Sequence, residues 1–546
     1  MRPTPIFTRP RAWALALGIA LATLAAYSNS FYAPFLLDDL AAIVQNPSIH
    51  APFSPWRALF PPPGSVAAGR PVTNLSFAIN QAISGNSVWS YHAVNLAIHV
   101  AAALVLFFIL RKALASSRMH GAFDGSCTVL AFFCSLIWAV HPLQTESVTY
   151  IFQRSESLMG LLFLATLGLS IKGWEKARPW PWHLAALGTF ALCLGVKEVI
   201  VAAPFCVFFY DAVFVSQNAR KALARSPLLY GGFAVGLVLL ALGLAFGNQA
   251  ARITPHKAAP LEYLATQPKV IAYYLQTALW PGRLCLDLSW PVMTLRQTWP
   301  HALLLLGLAS ATAWALWRKM PLGFAGACFF LILAPTSSFF PLLNLAFEHR
   351  MYLPLAPVVV ACVCGGFVLA KRILPARAWT SWAGYGGVAL LLAVSLALAA
   401  ATHARNTVYQ SQRAIWEDTL AKAPGNWRAH LNLGYALARE GNTALAITHY
   451  RQAARLCPND PIIHFNLANM LMREGKKEEA IAHYQMAVAI YPGFFQARHN
   501  LGAALAATGD FEHAVLQLRE AVRLSPGSSL ARASLARVLS LSQKTR

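Results

Sequence analysis

Over the first four hundred residues polar positions are few and clustered. Between them lie apolar stretches near 13–31, 92–110, 155–171, 180–196, 199–215, 228–247, 300–317, 321–340, 352–370 and 381–402. Each is about long enough for a bilayer-crossing helix, which needs roughly 20 mainly apolar residues. A shorter run at 127–140 adds an eleventh. A further stretch at 265–280 is interrupted by Gln267, Lys269 and Gln276 and reads as an interfacial or re-entrant segment. The first run, behind Arg9 and Arg11, has no small-x-small cleavage site before Asp38 and reads as a retained helix rather than a secretory signal.

From about residue 405 the pattern changes to a strict period. Leu433-Gly434, Leu467-Ala468 and Leu501-Gly502 stand 34 apart, as do Ala446, Ala480 and Ala514; Tyr450, Tyr484 and Leu518; and Pro458, Pro492 and Pro526. Small residues let paired helices approach, aromatics fill the seam, and proline ends the second helix. This is the tetratricopeptide pattern. It predicts repeats at 427–460, 461–494 and 495–528, a leading half-repeat at 407–425 around Trp416, and a capping helix at 529–546. Such arrays present a concave surface to peptides or proteins. The expected fold is therefore all-α: a polytopic bundle of about eleven membrane helices over 1–404, then a tetratricopeptide α-solenoid over 405–546.

Composition agrees. Of 546 residues 57% are hydrophobic and 12% charged, against roughly 25% charged in soluble domains. Mean hydropathy is +0.48. Net charge is +23, but its placement makes it a topology signal rather than a binding one. With the N-terminus in the cytoplasm, eleven alternating helices put 17 basic residues on short inner segments: Arg2, Arg9 and Arg11, then Arg111, Lys112, Arg118, Lys172, Lys176, Arg178, Arg220, Lys221, Arg225, Arg318, Lys319, Lys371, Arg372 and Arg377. Ten lie on the longer outer segments. This is the positive-inside bias, and it places the repeats outside, with outer loops at 28–91 and 248–298. It also disfavours a nucleic-acid partner. The nine cysteines form no CxxC and no metal-ligand spacing and read as small packing residues.

Eleven acidic residues precede the repeats. Asp124, Glu175 and Asp211 fall inside. Asp38, Asp39, Glu146, Glu156, Glu198, Glu262, Asp287 and Glu348 fall outside, most at helix ends. Ionisable groups at the bilayer boundary are costly unless they serve a polar site, so the outer face is the candidate active face. Phe35-Leu36-Leu37-Asp38-Asp39 sets adjacent carboxylates after an apolar run. Desolvation and a like-charged neighbour would raise a carboxylate pKa and suit it to accept a proton from a hydroxyl; a turn or cap pair is the plainer reading. His141-Pro142 and Thr145-Glu146 end the third helix. Arg154, Lys197 and Arg350 would converge on a phosphate, or else pair with Glu156, Glu198 and Glu348.

Phe35 to Asp39 with Ile43 and Asn46, Gly69-Arg70-Pro71-Val72-Thr73-Asn74, Tyr91-His92-Ala93-Val94-Asn95 with His99, Val140-His141-Pro142 with Glu146 and Arg154, Lys197-Glu198, and Glu348 with Tyr352-Leu353-Pro354 occur in that order. They resemble the family of multi-helix transmembrane, tetratricopeptide-containing O-mannosyltransferases. The resemblance implies a C-type glycosyltransferase in the plasma (inner) membrane that takes a mannose-like sugar from a polyprenyl-phosphate donor on the non-cytoplasmic face. It implies Asp38 or Asp39 as base for a Ser/Thr hydroxyl, inversion at the sugar, and no metal or other cofactor. Arg154, Lys197 and Arg350 would hold the lipid phosphate, with Glu146, Glu198, Glu348 and His141 around the substrates. The sequence departs from the family pattern at Glu348-His349-Arg350, where His349 separates the Glu and Arg.

The implied partners are membrane lipid, the lipid-linked sugar, and a protein or peptide acceptor docked by the repeats. Two other readings stay open: a transferase or ligase acting on glycolipid or cell-wall polymer, and a non-catalytic tetratricopeptide scaffold for an envelope complex. The outward acidic cluster disfavours the scaffold. A channel or transporter is disfavoured because no charge falls at a helix centre.

Overall fold

The computed structural model describes residues 12–50, 53–61, 68–119, 121–123, 125–246, 258–338, 340–342, 344–374 and 382–544. Arg2, Arg9, Arg11, Asp124, Arg252, Lys257, Arg377 and part of the expected 248–298 loop lie outside them. Every regular element among the described residues is helical. The chain divides into two compact units: residues up to Leu286 with Trp290–Ser411, and Asp287–Ser289 with Gln412 onward.

The first unit contains α1 (Ala12–Ala26), α2 (Pro71–Ser84), α3 (Val88–Leu114), α4 (Cys127–Ala139), α5 (Arg154–Trp174), α6 (Trp180–Leu194), α7 (Ala203–Tyr210), α8 (Pro227–Phe246), α9 (Pro260–Leu279), α10 (Leu295–Trp317), α11 (Pro321–Leu333), α12 (Leu355–Ile373) and α13 (Trp382–Asn406). Each of the eleven apolar runs carries a helix, though α1 stops at Ala26 and α11 at Leu333, short of the expected ends at 31 and 340. Among the described residues six segments are long and apolar enough to cross a membrane: Val88–Leu114, Ile151–Trp174, Glu198–Val215, Leu295–Trp317, Leu355–Ile373 and Tyr385–Gln410. Two helix pairs qualify only when joined across bends of 51° and 91°. Each bend falls beside a proline, Pro142 or Pro227, whose ring forbids the continuing helical hydrogen bond. α1, α6 and α11 are apolar but shorter. Large apolar side chains such as Leu303, Leu304 and Leu306 on α10 are exposed, as contact with lipid allows and water does not. The chain is a multi-pass membrane protein.

The loops of this unit meet in two groups. At one end Lys112, closing α3, pairs with Glu175, closing α5. There Arg118 also donates to the Lys319 carbonyl at 2.8 Å and Lys371 to that of Gly121 at 2.9 Å. These are the basic turns expected inside. At the other end meet the loop after α1, the starts of α3 and α5, and the segments after α4, α6 and α11. α9 stays with this second group along its length. Tyr263 donates to the Thr336 carbonyl at 2.6 Å, Tyr273 to Glu348 at 3.1 Å, and Tyr274 accepts from the Phe347 amide at 3.0 Å. It is long enough to span but fails on hydropathy, because Gln267, Lys269 and Gln276 interrupt it, as the sequence pattern predicts.

Many of the ordered motif residues hold this end together. Asn46 donates to Asn74 at 2.9 Å, and Asn74 to the Ala58 carbonyl at 2.7 Å, closing the loop after α1 on itself. His99 bridges the Tyr352 hydroxyl and the Ala139 carbonyl, both at 2.9 Å. Trp138 donates to the Tyr352 carbonyl at 2.9 Å. The Tyr352 ring lies where a side chain at Gly160 would stand, so only glycine lets α5 approach here.

α13 continues to Asn406, beyond the boundary expected at 404. Arg405 donates to Glu348 at 3.1 Å and Asn406 to the Ala26 carbonyl at 3.1 Å, which ties both residues to the membrane unit. The second unit stacks α14 (Gln412–Lys422), α15 (Trp427–Arg439), α16 (Thr443–Leu456), α17 (Pro461–Arg473), α18 (Lys477–Ile490), α19 (Phe495–Ala507), α20 (Phe511–Leu524) and α21 (Ser529–Lys544). The periodic residues act as expected. A Cβ on Gly434 would stand 2.8 Å from the Tyr450 ring, and one on Gly502 would stand 2.7 Å from Leu518. Gly441, Gly475 and Gly509, again 34 apart, take φ of 84°, 78° and 89° in the turn inside each repeat, a region open to glycine.

Candidate functional site

The site forms at the second end of the membrane unit, around a polar segment that is wholly enclosed. Residues 141–157 are all buried, although eleven of them carry polar side chains. Burying polar groups is costly unless they are bonded, so such a segment marks a built polar interior.

The paired aspartates have separate tasks. Leu37, just ahead of the two carboxylates, sits at φ 47°, a left-handed conformation rare for a bulky side chain. Asp39 is 1% exposed. It accepts from the Leu36 amide at 2.9 Å and the Phe152 amide at 2.6 Å, clamping the loop onto the segment before α5. Asp38 is exposed, and its amide donates to the Tyr150 hydroxyl at 2.9 Å. Protein on most sides still raises its carboxyl pKa by desolvation, which the Tyr150 hydroxyl and the charge of Arg70 partly offset. Burial also pushes Asp39 well above its usual range, against the pull of its two amide bonds, but no substrate could reach it.

The same end of the unit holds a set of buried ionisable groups. Lys197 pairs with Glu156, not with its neighbour Glu198. His349 stands between two carboxylates, with Nδ1 2.7 Å from Glu146 and Nε2 3.6 Å from Glu156. Burial holds the His349 pKa well below the ordinary value despite Glu156 and raises that of Glu146 to about 8, so the two share one hydrogen bond at Nδ1. Glu348 pairs with Arg405, not Arg350, and also accepts from the Cys285 amide at 2.5 Å and from Tyr273. Burial raises the Glu348 pKa to about 7, with Arg405 opposing.

The expected phosphate trio does not act as one group. Arg154 is fully buried; its guanidinium donates to Asn95 at 2.6 Å and to the Ser76 and Tyr91 carbonyls at 3.2 and 3.1 Å, and lies 4.6 Å over the Phe77 ring. It fastens α2, α3 and α5 together. Arg350 donates to the Leu345 and Asn344 carbonyls at 3.0 and 2.7 Å and to Tyr263 at 3.3 Å. Short-range sequence pairing fails here because successive side chains of a tight 3₁₀ turn, Glu348–Met351, leave in different directions. His141 is a buried cap, accepting from the Leu143 amide at 3.2 Å. Glu198 is exposed and makes no side-chain hydrogen bond to another described residue; it lies in the field of Lys197, Arg70 and Arg350.

Arg70 lies within the Gly69–Asn74 motif, which by itself assigns it no role. It is half-buried at the start of α2, with its guanidinium 5.4 Å over the Phe152 ring and no hydrogen bond to another described residue. Its charge is felt by Asp38, Glu198 and His349. The adjacent Pro71 was the available signal, because it fixes the turn that presents Arg70 at a helix start. Arg405 was missed because the expected boundary assigned it to the repeats.

The repeat region matches family models described as "TPR repeat" over 434–475 and "Tetratricopeptide repeat" over 461–494 and 496–525. Among curated relatives, human protein O-mannosyl-transferase TMTC2 is 31% identical over 319 residues, covering 52% of this chain and 35% of its own. Protein O-mannosyl-transferase Tmtc3 of Drosophila melanogaster is 26% identical over 525 residues, 81% of this chain and 55% of its own. The chain therefore spans about a third to a half of the length of these relatives. Among solved structures, a crystal structure of MamA gives a TM-score of 0.24 at 20% identity, covering 24% of this chain and 77% of its own.

Proposed function

We propose, from the premise that the chain belongs to the family of transmembrane, tetratricopeptide-containing protein O-mannosyltransferases, that it moves a mannose-like sugar from a polyprenyl phosphate to Ser/Thr hydroxyls of proteins. The observation that carries this reading is the exposed Asp38 carboxyl. It follows a left-handed turn at Leu37, its amide is held by Tyr150, and it feels the charge of Arg70, whose guanidinium bonds no other described residue. An acceptor hydroxyl placed against Asp38 gives up its proton to the carboxylate as its oxygen bonds to the anomeric carbon. The bond from that carbon to the phosphate oxygen breaks on the opposite face, and its electron pair leaves with the polyprenyl phosphate. Inversion follows from that geometry. Arg70, with Lys197 behind it, takes up the charge on the departing phosphate. Glu198 lies within reach of the same cations and orients the sugar or the acceptor. Glu146, Glu156, His349, Glu348 and Arg405 hold Lys197 and the surrounding loops in place. No step of this scheme calls on a metal ion. The active end faces the non-cytoplasmic side of the plasma membrane, opposite the basic turns.

The test supplies the full chain in nanodiscs with polyprenyl-phosphate [³H]mannose or with GDP-mannose, and a Ser/Thr peptide as acceptor. Transfer to the peptide from the lipid-linked donor alone is expected. Equal transfer from the nucleotide sugar, or transfer only to glycolipid, would overturn the assignment.

A further inference from the structure

The concave side of the repeat unit holds a groove of about 640 Å³ built from α15, α17 and α19. Its polar lining has one sign. Arg439 and Arg473, one repeat apart, are exposed and make no hydrogen bond or ion pair with another described residue. The acids that follow them in sequence are engaged elsewhere: Glu440 with Arg413 at 3.4 Å, and Glu474 with Lys476 at 2.7 Å. The Asn469 side-chain oxygen accepts from Tyr484 at 2.6 Å and from Asn500 at 2.9 Å. This orients the Asn469 amide nitrogen as a remaining donor. Asn466 adds a second half-buried amide free of other described partners. No Asp or Glu lines the groove. It therefore offers two cations and several N–H donors with no carboxylate to compete for them.

We propose that this groove binds acidic, extended polypeptide segments, whose backbone carbonyls suit the asparagine amides and whose carboxylates suit the two guanidinium groups. A basic segment would meet uncompensated like charge, and a neutral one would leave both arginines unpaired. The inference deepens the transferase reading, since under that reading the bound segment belongs to the acceptor. The third repeat has Ala507 where the first two have arginine, so the charged stretch covers two repeats and the amide ladder extends beyond it.

The test uses three fluorescein-labelled dodecapeptides of alternating Glu-Thr, Gln-Thr and Lys-Thr, and the full chain in nanodiscs, read by fluorescence anisotropy. The Glu-Thr peptide is expected to bind best. Its affinity is expected to fall about tenfold or more in Arg439→Glu/Arg473→Glu, as for loss of two charge-assisted contacts, but not in the surface control Arg519→Glu. Far-UV circular dichroism checks that the double variant is folded. Equal affinity for the three peptides, or an unchanged Kd in a folded double variant, overturns the proposal. The same peptides offered as acceptors separate the two readings. Groove-dependent binding without sugar transfer sinks the transferase assignment alone. Transfer that ignores both peptide charge and the double reversal sinks the groove assignment alone.

Discussion

Asp38→Asn and Asp39→Asn should fail in opposite ways. Asn at 38 keeps the shape of a side chain that makes no hydrogen bond to a neighbouring amide, so folding and donor binding persist. What disappears is the proton acceptor, and general-base catalysis contributes about 10²–10⁴ in rate, or roughly 2.7–5.5 kcal/mol of barrier. Asn at 39 enters a site where two buried amides, Leu36 and Phe152, donate to two carboxylate oxygens. The new amide offers one oxygen and turns its NH₂ toward the other donor, which leaves a buried N–H unpaired at about 1–3 kcal/mol. The assay is sugar transfer from polyprenyl-phosphate mannose in nanodiscs, with kcat, KM and the thermal midpoint measured on one preparation. Asp38→Asn should retain its midpoint and donor KM and lose kcat by about 10²-fold or more. Asp39→Asn should lose several degrees of midpoint and recover activity on cooling. The pH profile adds a sign. Desolvation raises the Asp38 pKa above its ordinary value, and the base must be ionised, so wild-type kcat falls with acid at a higher pH than a free aspartate would allow. That limb should vanish in Asp38→Asn. Full activity in Asp38→Asn, or an inactive Asp39→Asn with an unchanged midpoint, would refute the division of labour.

Arg70→Gln should raise the donor KM and move the acid limb to higher pH, because Arg70 holds the Asp38 pKa down; a profile unmoved in pH removes Arg70 from the site. Lys197→Met strands Glu156, 2% exposed, and should cost about 3–5 kcal/mol, with part regained in Lys197→Met/Glu156→Gln; additive losses in detergent melts would deny the coupling. Gly160→Ala should destabilise the membrane unit and leave the repeats folded, since its Cβ overlaps the Tyr352 ring; a wild-type melting midpoint would show that Tyr352 moves freely aside. In the repeats His430 faces His449 at 3.0 Å and His464 faces His483 at 3.1 Å. Burial first, then the partner histidine, lowers the pKa of His449 and His483 against Glu417 and Glu479, while Arg451 also bears on His483. Groups lowered on folding bind fewer protons than in the unfolded chain, so repeat stability should drop as pH falls below about 6.5. His449→Gln/His483→Gln, copying Gln517 of the third repeat, should flatten that slope in circular-dichroism melts; parallel slopes would acquit the histidines.

What the sequence made legible follows the range of the forces involved. The apolar runs and the 34-residue period are set by each segment's own medium or its nearest neighbour, so Leu433, Ala446 and Tyr450 could be placed from spacing alone. The segregation of charge to two ends was legible for the same reason, since Lys112, Arg118 and Lys371 each answer to the membrane separately. The site is different. Glu348 lies two residues from Arg350 yet pairs with Arg405, 57 positions away, and Lys197 passes over Glu198 for Glu156. In a low-dielectric interior a charge is held by whichever counter-charge can also be desolvated with it, and that choice depends on how helices from distant parts of the chain meet. Arg154 shows the cost of reading residue type without this. An arginine at a helix end suggests phosphate, but three carbonyl-type acceptors and an aromatic face already surround its guanidinium, and removing those partners would be needed before it could bind anything else. Arg70 carries the same chemistry with its hydrogen-bonding capacity still open, so the difference between a structural and a functional cation here lies in the acceptors around it, which no local motif records.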